Sequence, residues 1–225
     1  MQLMQREFNN IRVKAASMSV AAGEMYRDAI MALTNHDTDL ALKVVERDRT
    51  VDQYELDIDE MCLKFLALYA PKAMELRYVV AVLRFIIEME RVGDHSKAIC
   101  RQALNYHCAS LLPRLPDSEA IFALTLQMLQ EATDTFFETN DQYYDAIFET
   151  DKKVGQLQNS LNQSLAELIQ ADPHNINGAL ALLNVVRRVE RIGDHAKNIS
   201  ELVPYVTSGK VIRHKKVSAN ADFDN

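Results

Sequence analysis

The stretch of sequence that decides the fold is Glu90-Arg-Val-Gly-Asp94-His95, which returns one hundred positions later as Glu190-Arg-Ile-Gly-Asp194-His195. Two copies of so specific a string indicate an internal repeat. Further matches lie upstream at an offset of 103, where Asp48, Val51 and Gln53 correspond to Asp151, Val154 and Gln156. The change of offset places a three-residue deletion in the second copy, and such changes are tolerated in loops.

Proline positions and residue composition predict an all-α fold. Long proline-free stretches are rich in good helix formers, with apolar residues recurring at spacings of three and four. The prolines mark boundaries between these stretches. Asp37, and Asn140 or Asp141, are the predicted N-caps of the second and fifth helices. We predict six helices, over residues 1–34, 38–69, 72–110, 117–139, 142–170 and 175–207.

Each copy is therefore an up-down-up unit of three helices, and the predicted architecture is two three-helix bundles in tandem. The predicted domains are residues 1–112 and 117–207, followed by a polar, flexible tail over residues 208–225. A chain of 225 residues with 48% hydrophobic residues can bury a substantial core. No disulfide or metal is needed for folding alone.

Composition narrows the location and the class of partner. No apolar run approaches the length of a membrane-spanning helix and the N-terminus has no signal-peptide pattern, so we expect a soluble, cytoplasmic protein. Cys62, Cys100 and Cys108 have no metal-ligand spacing, and we expect small buried side chains in a reducing compartment. A net charge of -7 argues against nucleic-acid binding. One basic cluster, between Lys210 and Lys216, lies in the tail.

The acidic residues of the repeated string lie four apart, so Glu90 with Asp94, and Glu190 with Asp194, project from one face of a helix. Like charges at this spacing destabilise a helix by about 0.2 to 0.5 kcal/mol, so we expect something to offset them. One alternative is a surface of salt bridges, and the other is a bound cation. The candidate partners for salt bridges are Arg91, Lys97, Arg187, Arg188, Arg191 and Lys197.

A second group of carboxylates lies on the preceding helix and continues an apolar stripe. Its members follow a 4-3-4 spacing: Asp48, Asp52, Glu55 and Asp59. If this helix packs beside the one that carries Glu90 and Asp94, pairs of carboxylates converge on a hard cation that prefers oxygen ligands. His95 and His195 point about 100° away from the neighbouring aspartates, so we do not expect them to share that ion. Gly93 and Gly193 suggest close approach of a helix or an ion.

These residues resemble the PhoU family of bacterial phosphate-signalling regulators, over roughly residues 5 to 215. Glu190 to His195, with Asn198 and Ile199, matches the family's second copy. The first-copy matches include Phe8, Asn9, Ile11, Arg12, Asn35, Asp37, Asp39, Leu40, Ala41, Asp48, Val51, Glu55, Ile58, Asp59, Glu60, Cys62, Pro71, Leu76, Arg77 and Glu90 to Asp94.

The resemblance implies a six-helix fold and a negative regulator of the phosphate-starvation response, not an enzyme. PhoU-like proteins link a phosphate ABC transporter, through its ATPase subunit, to a membrane sensor histidine kinase. We expect a homodimer, no nucleic acid, and membrane association only through those partners. An enzyme of the carboxylate-bridged metal oxidase class uses Glu-x-x-His, and no Glu in this chain has His three residues on. A further alternative is an accessory subunit of a sodium-coupled or other phosphate carrier.

The resemblance also implies that the protein binds iron or another divalent or trivalent metal, such as Zn, Mg, Mn or Ni. The implied metal ligands are Asp48, Asp52, Glu90 and Asp94 in the first copy, and Asp151, Glu190 and Asp194 in the second. The second copy departs from the family pattern because Gly155 stands where a second aspartate is expected. Gln158 and Asn162 likewise replace the counterparts of Glu55 and Asp59. In the first helix the family's glutamate position holds Gly23, beside Glu24.

Overall fold

The computed structural model describes residues 2–105, 108–140 and 144–209. Its helices are α1 (Gln2–Asn35), α2 (Thr38–Tyr69), α3 (Ala73–Asn105), α4 (Ser118–Glu138), α5 (Tyr144–Ala171), α6 (Ile176–Ser200) and α7 (Leu202–Ser208), with 3-10 segments at Cys108–Arg114 and Pro173–Asn175. These described residues contain no strand. The predicted all-α fold class is confirmed.

Two predicted helices are too long. The third ends at Asn105, not at residue 110, and a 3-10 segment that contains Pro113 follows it. The sixth ends at Ser200, and α7 completes the predicted range. Pro204 explains this second break, because proline has no N–H to donate to the carbonyl of Ser200 four residues earlier and its ring clashes with that carbonyl.

Two further sequence predictions are confirmed by local geometry. Asp37 is the N-cap of α2, since its side chain accepts a 2.9 Å hydrogen bond from the backbone N–H of Leu40. The three cysteines are buried and unpaired. Asp141, the alternative N-cap of the fifth helix, and the basic cluster from Lys210 to Lys216 lie outside the described residues.

The two copies contact each other through three pairs of helices, one of which joins α3 to α7. On one side α3 packs against α6, and on the other α1 packs against α4. The α3 and α6 helices run antiparallel, because Glu88 contacts His195 whereas His95 contacts Arg188. The helices α2 and α5 flank this central pair, each against the third helix of its own copy. The acidic residues of both copies therefore lie on either side of one α3–α6 seam.

Aromatic side chains and two polar contacts join the copies on the α1–α4 side. Phe85 of α3 stacks on Phe136 of α4, with ring centroids 4.5 Å apart. The guanidinium of Arg12 donates to the backbone carbonyl of Phe137 at 2.8 Å, and the Tyr26 hydroxyl donates to that of Phe122 at 3.3 Å. In the part of the chain that the structure describes, no helix is both long enough and apolar enough to cross a membrane.

Candidate functional site

The same lysine–carboxylate arrangement occurs at the acidic positions of both copies. In the first, the ammonium of Lys97 contacts Asp48 of α2 and lies 3.7 Å from the carboxylate of Asp94. Asp48 is buried, and the hydrogen bond to Asp48 is the main cause that raises the pKa of Lys97. A lysine ammonium thus lies between a carboxylate of α2 and a carboxylate of α3.

The second copy repeats this contact at the corresponding positions. The Nζ of Lys197 lies 2.7 Å from Asp151 of α5 and 3.9 Å from Asp194 of α6. Asp151 follows Asp48 by 103 positions and Lys197 follows Lys97 by 100, so the repeat register read from the sequence pairs the same residues in space. Salt bridges, one of the two alternatives, therefore satisfy part of the acidic group in each copy.

The other first-copy carboxylates are less well balanced by positive charge. Burial raises the pKa of Asp52, Glu55 and Glu90, and repulsion from neighbouring carboxylates raises it further. For Glu90 the largest of these repulsions comes from Asp94, and Glu55 and Asp52 of α2 add to it. Helices α2 and α3 thus bring the predicted ligands of the first copy together, at a position where negative charge is in excess.

In the second copy the excess of negative charge is smaller. Burial and repulsion from Asp194 and Asp151 raise the pKa of Glu190. Gly155, in the position of the missing aspartate, faces open space, since a Cβ built there meets nothing within 4 Å. The structure therefore reproduces the asymmetry that the sequence predicts between the two acidic groups.

The donor set suits a hard cation, but the side chains are not arranged as a preformed site. Within residues 2–105, 108–140 and 144–209, no three His, Cys, Asp or Glu side chains are grouped to hold a metal ion. Oxygen ligands from four carboxylates match the preference of hard metals. Lys97, however, already occupies Asp48. A metal ion that binds Oδ2 of Asp48 must displace the Lys97 ammonium from that oxygen.

Gly93 lies where α3 packs against α2, beside Val51 and Asp48. A Cβ at Gly93 would lie 3.4 Å from Cγ1 of Val51 and 3.8 Å from the carboxylate of Asp48. Gly193 has more room, with Sδ of Met128 and Cγ1 of Val154 each 3.8 Å from the same added atom. These are ordinary van der Waals distances, so an alanine would fit at either position and the close approach of α2 to α3 does not depend on glycine.

The two repeated histidines meet across the α3–α6 seam. Their Nε2 atoms lie 3.3 Å apart. Nδ1 of His195 lies 2.6 Å from Glu88, whose carboxylate also accepts a 3.2 Å hydrogen bond from the side chain of Asn198. Nδ1 of His95 accepts a 3.2 Å hydrogen bond from Arg188. From Glu88 through His195 and His95 to Arg188, these contacts form one continuous chain between the copies.

Sequence reasoning missed Glu88 and Arg188 as members of this network. They occupy corresponding positions, one hundred residues apart, with opposite charges. That sign reversal inside a repeat is the signal that would have identified them. Burial is the main cause that lowers the pKa of His95 to about 4, and the positive groups nearby lower it further.

Comparison with known proteins assigns the chain to a family. The family model described as PhoU domain matches residues 15–103 and 119–203, which is one match in each copy. The chain belongs to the PhoU family.

Several PhoU relatives resemble the chain over most of its length. The phosphate-specific transport system accessory protein PhoU of Edwardsiella tarda is 36% identical over 92% of this chain and 86% of its own length. The protein of the same name from Serratia marcescens is 35% identical over the same shares. The crystal structure of PhoU from Pseudomonas aeruginosa superposes with a TM-score of 0.83 at 30% identity, covering 92% of this chain and 99% of that one.

A more distant PhoU structure confirms the fold alone. The phosphate transport system regulatory protein PhoU from Streptococcus pneumoniae is 21% identical and superposes with a TM-score of 0.83 over 93% of this chain and 99% of that one. The tandem arrangement of two helical copies is therefore a property of PhoU structures that differ widely in sequence.

Proposed function

We propose that this PhoU-family chain is a negative regulator of the phosphate-starvation response. It links a phosphate ABC transporter to a sensor histidine kinase and modulates phosphate uptake, with a regulatory and not a catalytic role. The observation that carries this proposal is the 36% identity, spanning both copies, to a protein named as an accessory protein of a phosphate-specific transport system.

Deletion of the gene tests the regulatory role. In phosphate-rich medium, the deletion strain should express phosphate-scavenging genes at a high level, and a plasmid copy of the intact chain should restore repression. A strain that keeps normal repression without the gene would contradict the proposal.

The proposed partners are the ATPase subunit of the transporter and the cytoplasmic part of the kinase. The chain is proposed to be a cytoplasmic homodimer that reaches the membrane only through these two proteins. Co-purification with each partner tests binding, and light scattering of the purified chain tests the dimer. Fractionation of cells that lack both partners tests the route to the membrane, since persistent sedimentation with membranes there contradicts it.

We also propose that the acidic residues bind iron or another divalent or trivalent metal. The first copy would hold it through Asp48, Asp52, Glu90 and Asp94, and the second more weakly through Asp151, Glu190 and Asp194. The support is the excess of negative charge beside α2 and α3, which burial and mutual repulsion make unfavourable without a cation.

Elemental analysis tests this metal assignment. Protein purified without chelator should lose most of its bound metal when the four first-copy carboxylates are replaced by Asn or Gln. Replacing the three second-copy carboxylates should have a smaller effect. Equal metal content before and after the first-copy change rules the assignment out.

A further inference from the structure

The pair formed by His95 and His195 is built from both copies, and each histidine directly follows an aspartate of the acidic groups. Each histidine comes from a different helix of the seam, and both are partly accessible to solvent. The two Nε2 atoms face each other at 3.3 Å. Two nitrogen ligands at 2.0–2.1 Å from a tetrahedral ion are themselves about 3.3 to 3.4 Å apart. The separation of the two Nε2 atoms is therefore that of two ligands on one ion.

We propose that His95 and His195 together bind a divalent metal ion of the Zn²⁺ class through their Nε2 atoms, with water completing the coordination. Imidazole nitrogen suits Zn, Cu, Ni and Fe, whereas the acidic groups beside this pair offer only oxygen. The site is thus separate from the one proposed for the carboxylates and differs from it in metal preference.

The surroundings of His195 are those of a metal ligand. Metal-binding histidines usually donate their second N–H to a carboxylate, which fixes the tautomer and raises the basicity of the ligating nitrogen. Glu88 occupies this position, 2.6 Å from Nδ1 of His195, and Asn198 holds Glu88 in turn. Nε2 of His195 is thereby left with its lone pair directed towards His95.

The surroundings of His95 set the strength of binding. Arg188 can only donate, so its contact with Nδ1 of His95 places the ring proton on Nε2, where it is shared with His195. A metal ion takes the place of that proton, and the proton of His95 then belongs on Nδ1, facing Arg188. Arg188 is exposed and can turn into solvent. Arg188 therefore competes with the metal ion for His95, whereas Glu88 stabilises the metal-binding form of His195.

Titration of the full-length, chelator-treated protein with Co²⁺, followed by displacement with Zn²⁺, tests the proposal. Tetrahedral Co²⁺ gives much stronger visible absorption than the octahedral ion expected at carboxylates. We expect this absorption at one equivalent, its loss in His95→Ala and in His195→Ala, and its retention in the matched control His174→Ala, where the histidine is exposed and distant from the seam. The variant Asp48→Asn/Asp52→Asn should also retain it, which separates this site from the acidic one.

Two further variants keep the proposal falsifiable if an alanine variant at either histidine fails to fold. Glu88→Gln should weaken Co²⁺ binding by about 10- to 100-fold, as loss of an outer-shell partner does. Arg188→Ala should strengthen it, because the competing donor is gone. The proposal is overturned if either histidine variant retains the absorption, if Arg188→Ala weakens binding, or if no tetrahedral signal forms in the parent protein.

Discussion

Lys97 contacts Asp48 across helices α2 and α3, and Asp48 is the one buried charged side chain in the described part of the chain. The ammonium group of Lys97 places a positive charge beside Asp48 without a bound cation. The corresponding pair in the second copy, Lys197 and Asp151, has the same geometry, but Asp151 keeps 25% of its side-chain surface exposed. The two pairs thus form a natural comparison between a buried and an accessible ion pair.

Replacing Lys97 by Met should destabilise the protein by about 3 to 5 kcal/mol, because a buried carboxylate loses its partner. The matched change Lys197→Met should cost at most about 1 kcal/mol, since water can solvate Asp151. Urea unfolding monitored by circular dichroism measures both. Equal losses of unfolding free energy in the two variants would show that burial of Asp48 is not the cause.

Gly155→Asp should increase metal bound by the second copy. The position faces open space, so the new side chain fits, and it supplies the carboxylate that distinguishes the first copy from the second. Without metal the change should lower stability, because Glu190 already experiences repulsion from Asp194 and Asp151. Elemental analysis and thermal unfolding with and without chelator measure the two effects.

The control for that experiment is Gly155→Ala, which adds no charge. It should raise the unfolding free energy by up to about 1 kcal/mol through helix propensity and leave metal content unchanged. A gain of metal in the alanine variant would mean that rigidity of α5, and not a new ligand, is responsible.

The bounds of a helix could be predicted from the sequence where a capping residue or a proline lies close to its end. The range of α2, residues 38–69, was predicted correctly because Asp37 caps its start and Pro71 follows its end. The predicted single helix over residues 175–207 does not include the break at Ser200, which is caused by Pro204, four residues later. The spacing of the carboxylates predicted that Asp48 and Glu90 lie close together. It did not indicate that Lys97 lies between Asp48 and Asp94.

Contacts between the copies could not be predicted from the sequence, because they depend on how two helices cross. The network of Glu88, His195, His95 and Arg188 forms only when α3 and α6 pack antiparallel. Periodicity defines which face of a helix is apolar, but it does not give the partner helix or the crossing point. Only the structure reveals that His95 lies opposite His195.

His95 should make the stability of the protein fall as the pH drops from about 6.5 towards 4. Burial and nearby positive groups lower its pKa to about 4 in the folded protein, whereas in the unfolded chain it titrates near its ordinary value. Between these values the unfolded state binds more protons, so the unfolding free energy rises with pH. The raised pKa values of Asp52, Glu55 and Glu90 act in the opposite direction.

Comparison of the parent protein with His95→Gln isolates the histidine contribution, because the carboxylates are common to both. The difference in unfolding free energy between the two proteins should depend on pH over this range and be constant above about pH 7. Measurements are made in the presence of chelator. A difference that does not vary with pH would contradict the lowered pKa.

Arg12→Met should lower the unfolding free energy by about 1 to 2 kcal/mol. Its guanidinium donates to the carbonyl of Phe137 and lies over the ring of Tyr78, so the change removes a contact between the two copies. Arg6→Met, in the same helix with 74% of the side chain exposed, is the control and should change stability little. Thermal unfolding of both variants measures the difference.

The opposite charges of Glu88 and Arg188 have a consequence for how such a chain can arise. A single-copy ancestor that paired with itself through the equivalent of α3 would place one residue type at both ends of the histidine contact, because a twofold axis maps each position onto its counterpart. It would carry two acids or two bases there. Fusion of the copies removes that constraint and allows a donor at one end and an acceptor at the other. A symmetric pair of identical copies therefore cannot have the polarity of this contact.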